Sequence, residues 1–284
     1  MKDTIFSIKK TLNIKGMPYS LDQPRIMGIV NVTPDSFYEQ SRVTEEKVLL
    51  KIVESMLAEG ADFIDLGGYS SRPGAEHIPT DEEHARVIPA IRSILRHFPD
   101  TLISCDTFRS SIARQAFEEG AVMINDISGG QLDTHMFETI AEIKIPYVLM
   151  HMIGDPRTMN SHTHYKNLFK EIAIYFSERV SILNKFGVSD IILDPGFGFS
   201  KSLDQNYELL KNFTYFHMIG FPLLVGISRK SMIGRLLEVQ PSEALTGSTV
   251  LNTIALIKKA SILRVHDIKN AKQVIKVIEK LEQV

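Results

Sequence analysis

The feature that most constrains this chain is a series of eight short, unbroken apolar runs separated by segments of helical periodicity. The runs are Ile26–Val30, Phe63–Leu66, Leu102–Cys105, Val122–Ile124, Tyr147–Met150, Ile191–Leu193, Leu223–Ile227 and Ile262–Val265. A strand with one wet face alternates apolar and polar residues, whereas a parallel strand covered on both faces reads as a continuous apolar run. Between the runs, apolar residues recur at three- and four-residue intervals. Leu168, Ile172, Tyr175, Phe176, Val180 and Leu183 form one such face, closed by Gly187. Thr80 and Glu83 match a capping box opening a helix that runs to His97, and Gly60 and Gly120 close two others.

Eight strand–helix units in series imply right-handed crossovers and a parallel sheet. Eight is also the number that closes such a sheet into a (β/α)8 TIM barrel, which needs about 250 residues. The 284 residues therefore predict one α/β domain, with 25–284 forming the barrel and 1–24 a hairpin or plug across its bottom.

Composition removes several classes of function. A net charge of -2 offers no field for nucleic acid, so any anionic ligand must be held by local groups. Cys105 is the only cysteine, which excludes an intrachain disulfide and a cysteine-built zinc site. It lies within an apolar run, the setting of a buried small hydrophobe rather than an activated thiolate. Lys9 and Lys10 interrupt the N-terminal stretch, which does not read as a signal peptide, and no run reaches the ~20 apolar residues of a membrane span. A cytoplasmic enzyme is expected.

In barrels of this kind chemistry sits at the C-terminal strand ends and the loops beyond them. Here those ends are polar: Asn31, then Gly67-Gly68-Tyr69-Ser70-Ser71-Arg72-Pro73-Gly74, Asp106, Asn125-Asp126, Asp194-Pro195-Gly196-Phe197-Gly198-Phe199, Ser228-Arg229-Lys230 and Arg264-Val265-His266-Asp267. A single Asp or Asn at a strand end is usually a helix cap. Several polar ends converging on one rim are costly to bury unless a ligand pairs them. Asn31, Arg72 and His266 suit an anion and its metal. Asp106, Asn125, Asp194 and Lys230 supply the donors and acceptors that a flat heterocycle with amide and amino edges requires, and Arg264 can stack on such a ring.

Five of these segments, in this order, resemble the signatures of the dihydropteroate synthase family: Asn31-Val32-Thr33-Pro34-Asp35-Ser36-Phe37, Ser70-Ser71-Arg72-Pro73-Gly74, the run from Asp194 to Phe199, Ser228-Arg229-Lys230, and Arg264 to Asp267. The resemblance runs from about Arg25 to Lys280. It implies condensation of 6-hydroxymethyl-7,8-dihydropterin pyrophosphate with p-aminobenzoate, giving 7,8-dihydropteroate and pyrophosphate in folate synthesis. By the same resemblance Asp106, Asn125, Met150, Asp194, Lys230 and Arg264 would contact the pterin. Asn31, Arg72 and His266 would bind pyrophosphate, with Asn31 as the ligand of Mg²⁺. Ser71, Pro73, Phe199 and Ser228 would line the p-aminobenzoate pocket, which sulfonamides occupy in this family. Asp106, Lys230, Arg264 and His266 would act in a dissociative substitution, and the family implies a homodimer. A charge pair at ~4 Å in an effective dielectric near 20 is worth about 4 kcal/mol, or roughly a thousandfold in rate if it is made only in the transition state.

The chain departs from the family after Phe37, where Tyr38-Glu39-Gln40-Ser41-Arg42 replaces a glycine-containing stretch, and Ser71 stands where relatives often carry Thr. His77, His84 and His97 read as helix-surface histidines, and His162 with His164 lacks a third metal ligand. His151, directly after the fifth strand, is open to either reading. Asp65 is expected to bond the Gly67-Gly68 turn. The apolar face Val274, Ile275, Ile278 and Leu281 is either barrel packing or subunit contact. Two rival functions are a methyltetrahydrofolate:corrinoid methyltransferase, which needs no arylamine pocket, and a non-catalytic pterin-binding paralogue.

Overall fold

A computed structural model describes residues 8–32, 42–70 and 77–283. It opens with a hairpin, strands β1 (Thr11–Ile14) and β2 (Met17–Ser20), paired antiparallel. The barrel follows as β3 (Arg25–Asn31), α1 (Arg42–Glu59), β4 (Phe63–Gly67), α2 (Thr80–His97), β5 (Ile103–Asp106), α3 (Ser110–Glu118), β6 (Met123–Asp126) and α4 (Met136–Ile143). It continues as β7 (Tyr147–Met150), α5 (Leu168–Lys185), β8 (Ile191–Asp194), α6 (Leu203–Lys211), β9 (Leu224–Val225), α7 (Ser231–Leu237), α8 (Leu245–Ile257), β10 (Ile262–Val265) and α9 (Ile268–Glu282). The strands are parallel in the order β8-β7-β6-β5-β4-β3-β10-β9, and a parallel bridge between Leu193 and Leu223 brings the two ends of the sheet together. The fold is the TIM barrel that the eight apolar runs imply.

Two local expectations are corrected. Thr80 and Glu83 do not form a capping box: Pro79 stands at the N-cap and no side chain caps the helix. Glu83 is instead buried against Arg109 and Thr107. The seventh strand is shorter than its apolar run, because Gly226 and Ile227 leave the ladder. There the chain turns on Arg229, at φ 55°, and the Ile227 carbonyl accepts from the Lys230 amide.

Alternation along the strands divides the interior into layers. At the bottom, Met27, Phe63, Met123, Val148, Ile192, Leu224 and Ile262 pack on one another and on Leu12, Ile14 and Leu21 of the hairpin region. Lys9 fastens this segment to the start of β8 through Asp190 at 2.7 Å. Two residues further along the same strands, the positions become Ile29, Asp65, Asn125, Met150, Asp194, Gly226 and Arg264, four of them polar or charged. The plug is thus greasy and the mouth polar. Outside the barrel, the opposite strand faces join the helices in the main core, which includes Ile64, Leu66, Cys105, Leu149 and Val265. Cys105 is buried there and burial raises its thiol pKa, as expected of a packing residue.

Candidate active site

Strand register sets the polar layer. Asn31, Gly67, Asp106 and Asn125 lie in register across β3, β4, β5 and β6, and Met150 is in register with Asp194 across β7 and β8. The centre of the layer is Arg264. Its Nε donates to Asp65 Oδ2 at 2.6 Å and its Nη2 to Asp106 Oδ2 at 2.6 Å. Asp65 is fully buried and also accepts from Ser104 Oγ at 2.6 Å and Asn125 Nδ2 at 3.0 Å. Asp65 therefore does not bond the Gly67-Gly68 turn that the sequence led us to expect; it locks Arg264 and Asn125 in place. A buried carboxylate needs this much company to remain in an apolar wall. The partial signal was that Asp65, Ser104, Asn125 and Arg264 are polar interruptions in four strands otherwise built for burial.

The second half of the layer is cationic. Lys230 Nζ donates to the Phe197 carbonyl at 2.5 Å and sits 4.5 Å from the centroid of the Phe199 ring. Burial pulls the Lys230 pKa down to about 8, against the opposing attraction of Asp194. Burial likewise raises Asp194, while Lys230, the Gly196 amide and Arg264 hold it down. Asp106 is raised to about 7, first by burial and then by neighbouring acids, with Arg264 pulling the other way. Arg264 itself is raised, because Asp65 and Asp106 outweigh its desolvation. Carboxylates and cations in one water-poor mouth, each displaced from its ordinary value, mark a functional site.

Met150 is buried in an apolar patch with Tyr69, Phe108, Ile127, Met152, Met159 and Phe199. This patch gives the mouth a lipophilic wall, which Lys230 meets at the Phe199 ring. On the neighbouring strand ends, Ser228 Oγ lies 3.2 Å from His266 Nδ1 and accepts from the His266 backbone amide at 3.2 Å. Arg229 points away from the mouth, paired with both oxygens of Asp267 at 2.9 and 2.7 Å. It is a structural clamp between the loops after β9 and β10.

The structure separates the Asn125-Asp126 pair. Asn125 faces the mouth, whereas Asp126 turns outward, taking Tyr147 Oη at 2.6 Å and the Ser128 and Gly130 amides at 2.7 and 2.8 Å. His151 is buried beside Lys201, and burial followed by that ammonium depresses its pKa well below the usual histidine range. Lys201, Glu83 and Arg109 carry no sequence signal of their own. Each is a charged residue in a polar loop or helix turn that only tertiary packing buries. The calls on Thr33 to Phe37, Tyr38 to Ser41, and Ser71, Arg72, Pro73 and Gly74 lie outside the described residues.

Among the described residues no group of three His, Cys, Asp or Glu side chains could cage a metal. A divalent cation here would need most of its oxygens from substrate and water, which is how Mg²⁺ is commonly held beside phosphates. Asn31, at the C-terminal end of β3, can supply one neutral oxygen to such an ion.

The sequence pattern of the family described as pterin binding enzyme matches residues 27–266. The chain is 42% identical over 267 residues to the dihydropteroate synthase of Escherichia coli, spanning 93% of this chain and 94% of that one. Among solved structures, it superposes on the Yersinia pestis dihydropteroate synthase in a sulfonamide complex with a TM-score of 0.90, at 36% identity, covering 96% of this chain and 100% of that one. The Xanthomonas albilineans dihydropteroate synthase with 7,8-dihydropteroate matches with a TM-score of 0.86 at 33% identity, covering 96% and 99%. The same Xanthomonas enzyme has been solved with 4-aminobenzoic acid, and that structure gives a TM-score of 0.90 at 35% identity, covering 97% and 99%.

Proposed function

The chain belongs to the pterin-binding enzymes and, among them, to the dihydropteroate synthases, transferases of folate synthesis, and on that premise we propose how the residues of its barrel mouth divide the work. The reaction joins 6-hydroxymethyl-7,8-dihydropterin pyrophosphate to p-aminobenzoate. The bond from the pterin methylene to the pyrophosphate oxygen breaks with its electron pair leaving on pyrophosphate. The arylamine nitrogen then forms the new C–N bond and gives up a proton.

The single observation that carries this division is the Asp65–Arg264–Asp106 chain of bonds, which joins β4, β10 and β5 at the barrel mouth. It fixes a flat guanidinium at the centre, against whose face a pterin ring stacks. Asn125, Asp194 and Lys230 then meet the edge of the ring with the donors and acceptors that its amide and amino groups need. Asp106 keeps a carboxylate oxygen beside the methylene, where positive charge grows as the C–O bond loosens. His266 and Ser228, bonded to each other, stand where a departing anion and an arylamine meet. Met150 and Phe199 supply an apolar wall for the aromatic partners.

Mg²⁺, when bound through Asn31 and the phosphates, would neutralise the leaving charge. Arg72 would join it at the pyrophosphate, and Ser71 and Pro73 would contact the arylamine, by their place in the family's second signature. Exposed Leu236, Val250, Ile257, Val277 and Leu281 on α7, α8 and α9 support a homodimer, since apolar rows of this kind usually meet a partner. No helix of the described residues is long and apolar enough to cross a membrane.

Pterin binding tests the division. Titration with a pterin, followed by its fluorescence, should show wild-type affinity weakened at least tenfold by Asp194→Asn and by Lys230→Met. Unchanged affinity in both variants would remove them from the pterin edge.

A further inference from the structure

Lys201 is one of two lysines that a single loop serves from opposite sides. It is only 8% exposed, and its Nζ donates to the Gly196 carbonyl at 3.0 Å and the Phe199 carbonyl at 2.9 Å. Its third neighbour is His151 Nδ1, at 3.1 Å. Between them in the chain, the Phe197 carbonyl accepts from Lys230 instead. The loop can present alternate carbonyls to opposite sides because Gly196, Gly198 and Ser200 all stand at positive φ, 73°, 80° and 50°. On its outer edge Asn206 Oδ1 accepts from the Gly198 amide at 2.6 Å.

We propose that Lys201 is a positioning residue for the transfer reaction: by gripping the Gly196 and Phe199 carbonyls it holds the 196–199 strap in the one shape that seats Lys230 and stands the Phe199 ring against the arylamine. An ammonium is costly to bury, and a loop fixed by hydrophobic contacts alone would not need one. Two carbonyl acceptors and a histidine nitrogen are what an ammonium with three donors requires. Burial keeps His151 neutral, and the Lys201 amine 3.1 Å from Nδ1 selects the tautomer in which that nitrogen accepts. Removing the N–H donors leaves two buried carbonyls unpaired, and the strap is then free to rotate the Phe199 side chain out of place.

The proposal rests on Phe199 facing the arylamine, and it is tested so that the two can fail separately. Lys201→Met keeps the stem and removes the donors. Steady-state kinetics on the folded variant should show KM for p-aminobenzoate raised at least tenfold, while pterin affinity, which keeps Asp106 and Asn125 and loses only the exact seating of Lys230, falls by less than the tenfold expected of Lys230→Met. Lys201→Gln, which retains a donor, should recover part of the loss. Phe199→Leu alone should also raise KM for p-aminobenzoate, and in the double variant with Lys201→Met the two effects should be less than multiplicative, because both act through one ring. If Phe199→Leu leaves that KM unchanged, the assignment of the ring to the arylamine is wrong. If Phe199→Leu raises KM but Lys201→Met either leaves it alone or multiplies with it independently, the positioning role is overturned. Proportional loss of every parameter with folded fraction, in both Lys201 variants, would also overturn it, reducing Lys201 to a stabilising contact.

Discussion

Asp65 Oδ2 and Arg264 Nε lie 2.6 Å apart, on strands that flank β3, although 199 positions separate them in the chain. Asp65 is fully buried, and the same carboxylate oxygen also receives Asn125 Nδ2. One residue that never needs to touch substrate therefore orients two that would.

Asp65→Ala leaves the Arg264 charge with Asp106 alone and the Asn125 amide without its acceptor. Breaking one side of a buried pair costs about 3–5 kcal/mol. Denaturant titration should report a loss of that order, and kcat/KM should fall further than the remaining folded fraction explains. A loss below about 1 kcal/mol would mean that water reaches the carboxylate and that the mouth is wetter than the burial of Asp65 implies.

Asp106 should matter more to turnover than to binding. The bare Coulomb figure for its charge beside a growing cation is roughly a thousandfold. Arg264 already occupies one of its oxygens, so Asp106→Asn should reduce kcat by about a hundredfold, at the lower edge of that range. Pterin affinity should drop less than tenfold. Equal losses in both would make Asp106 a ground-state contact only.

The pH profile follows from two groups. Asp106 is raised to about 7 and works as a carboxylate, so kcat/KM should climb as pH passes upward through about 7. Lys230 is lowered to about 8 and works as a cation, so the rate should fall above about 8. A narrow bell is expected, with Asp106→Asn flattening its acidic limb and Lys230→Met its alkaline one. Limbs that persist in those variants would belong to other groups.

Stability should carry the signature of Lys201, whose pKa burial lowers from 10.5 to about 7. Above the unfolded value the amine is neutral in both states and contributes nothing. As pH falls toward 7 the unfolded chain takes up a proton that the folded chain resists, so this group lowers stability progressively, and the full penalty stands below about 7. Lys201→Met lacks that slope. Its stability relative to wild type should rise as pH is lowered from about 10 to about 7, by up to about 1.4 kcal/mol per pH unit. Urea unfolding at three pH values checks the sign, and a constant difference would mean that the amine is charged in both states.

The barrel was legible because its signal is local: each strand buried on both faces announces itself as an apolar run, and Tyr147–Met150 and Ile262–Val265 match their strands residue for residue. The mouth was legible where a polar residue ends a run, as with Asp106, Asn125 and Asp194. Asp65 was misassigned because its partner Arg264 lies at the far end of the chain, and no local pattern encodes that pairing. Glu83 was read as a helix cap for a similar reason: its true partners, Thr107 and Arg109, come from the next strand–helix unit. Lys201 was invisible because the positive-φ geometry that turns the strap's carbonyls toward it depends partly on Ser200, a residue type without that preference.

The most direct test is the release of pyrophosphate from 6-hydroxymethyl-7,8-dihydropterin pyrophosphate in the presence of Mg²⁺, followed with and without p-aminobenzoate and with the product identified by mass. The account predicts rapid release only when the amine is present, with one 7,8-dihydropteroate formed for each pyrophosphate. Tight pterin binding without amine-dependent release would contradict it and leave the barrel a pterin receptor.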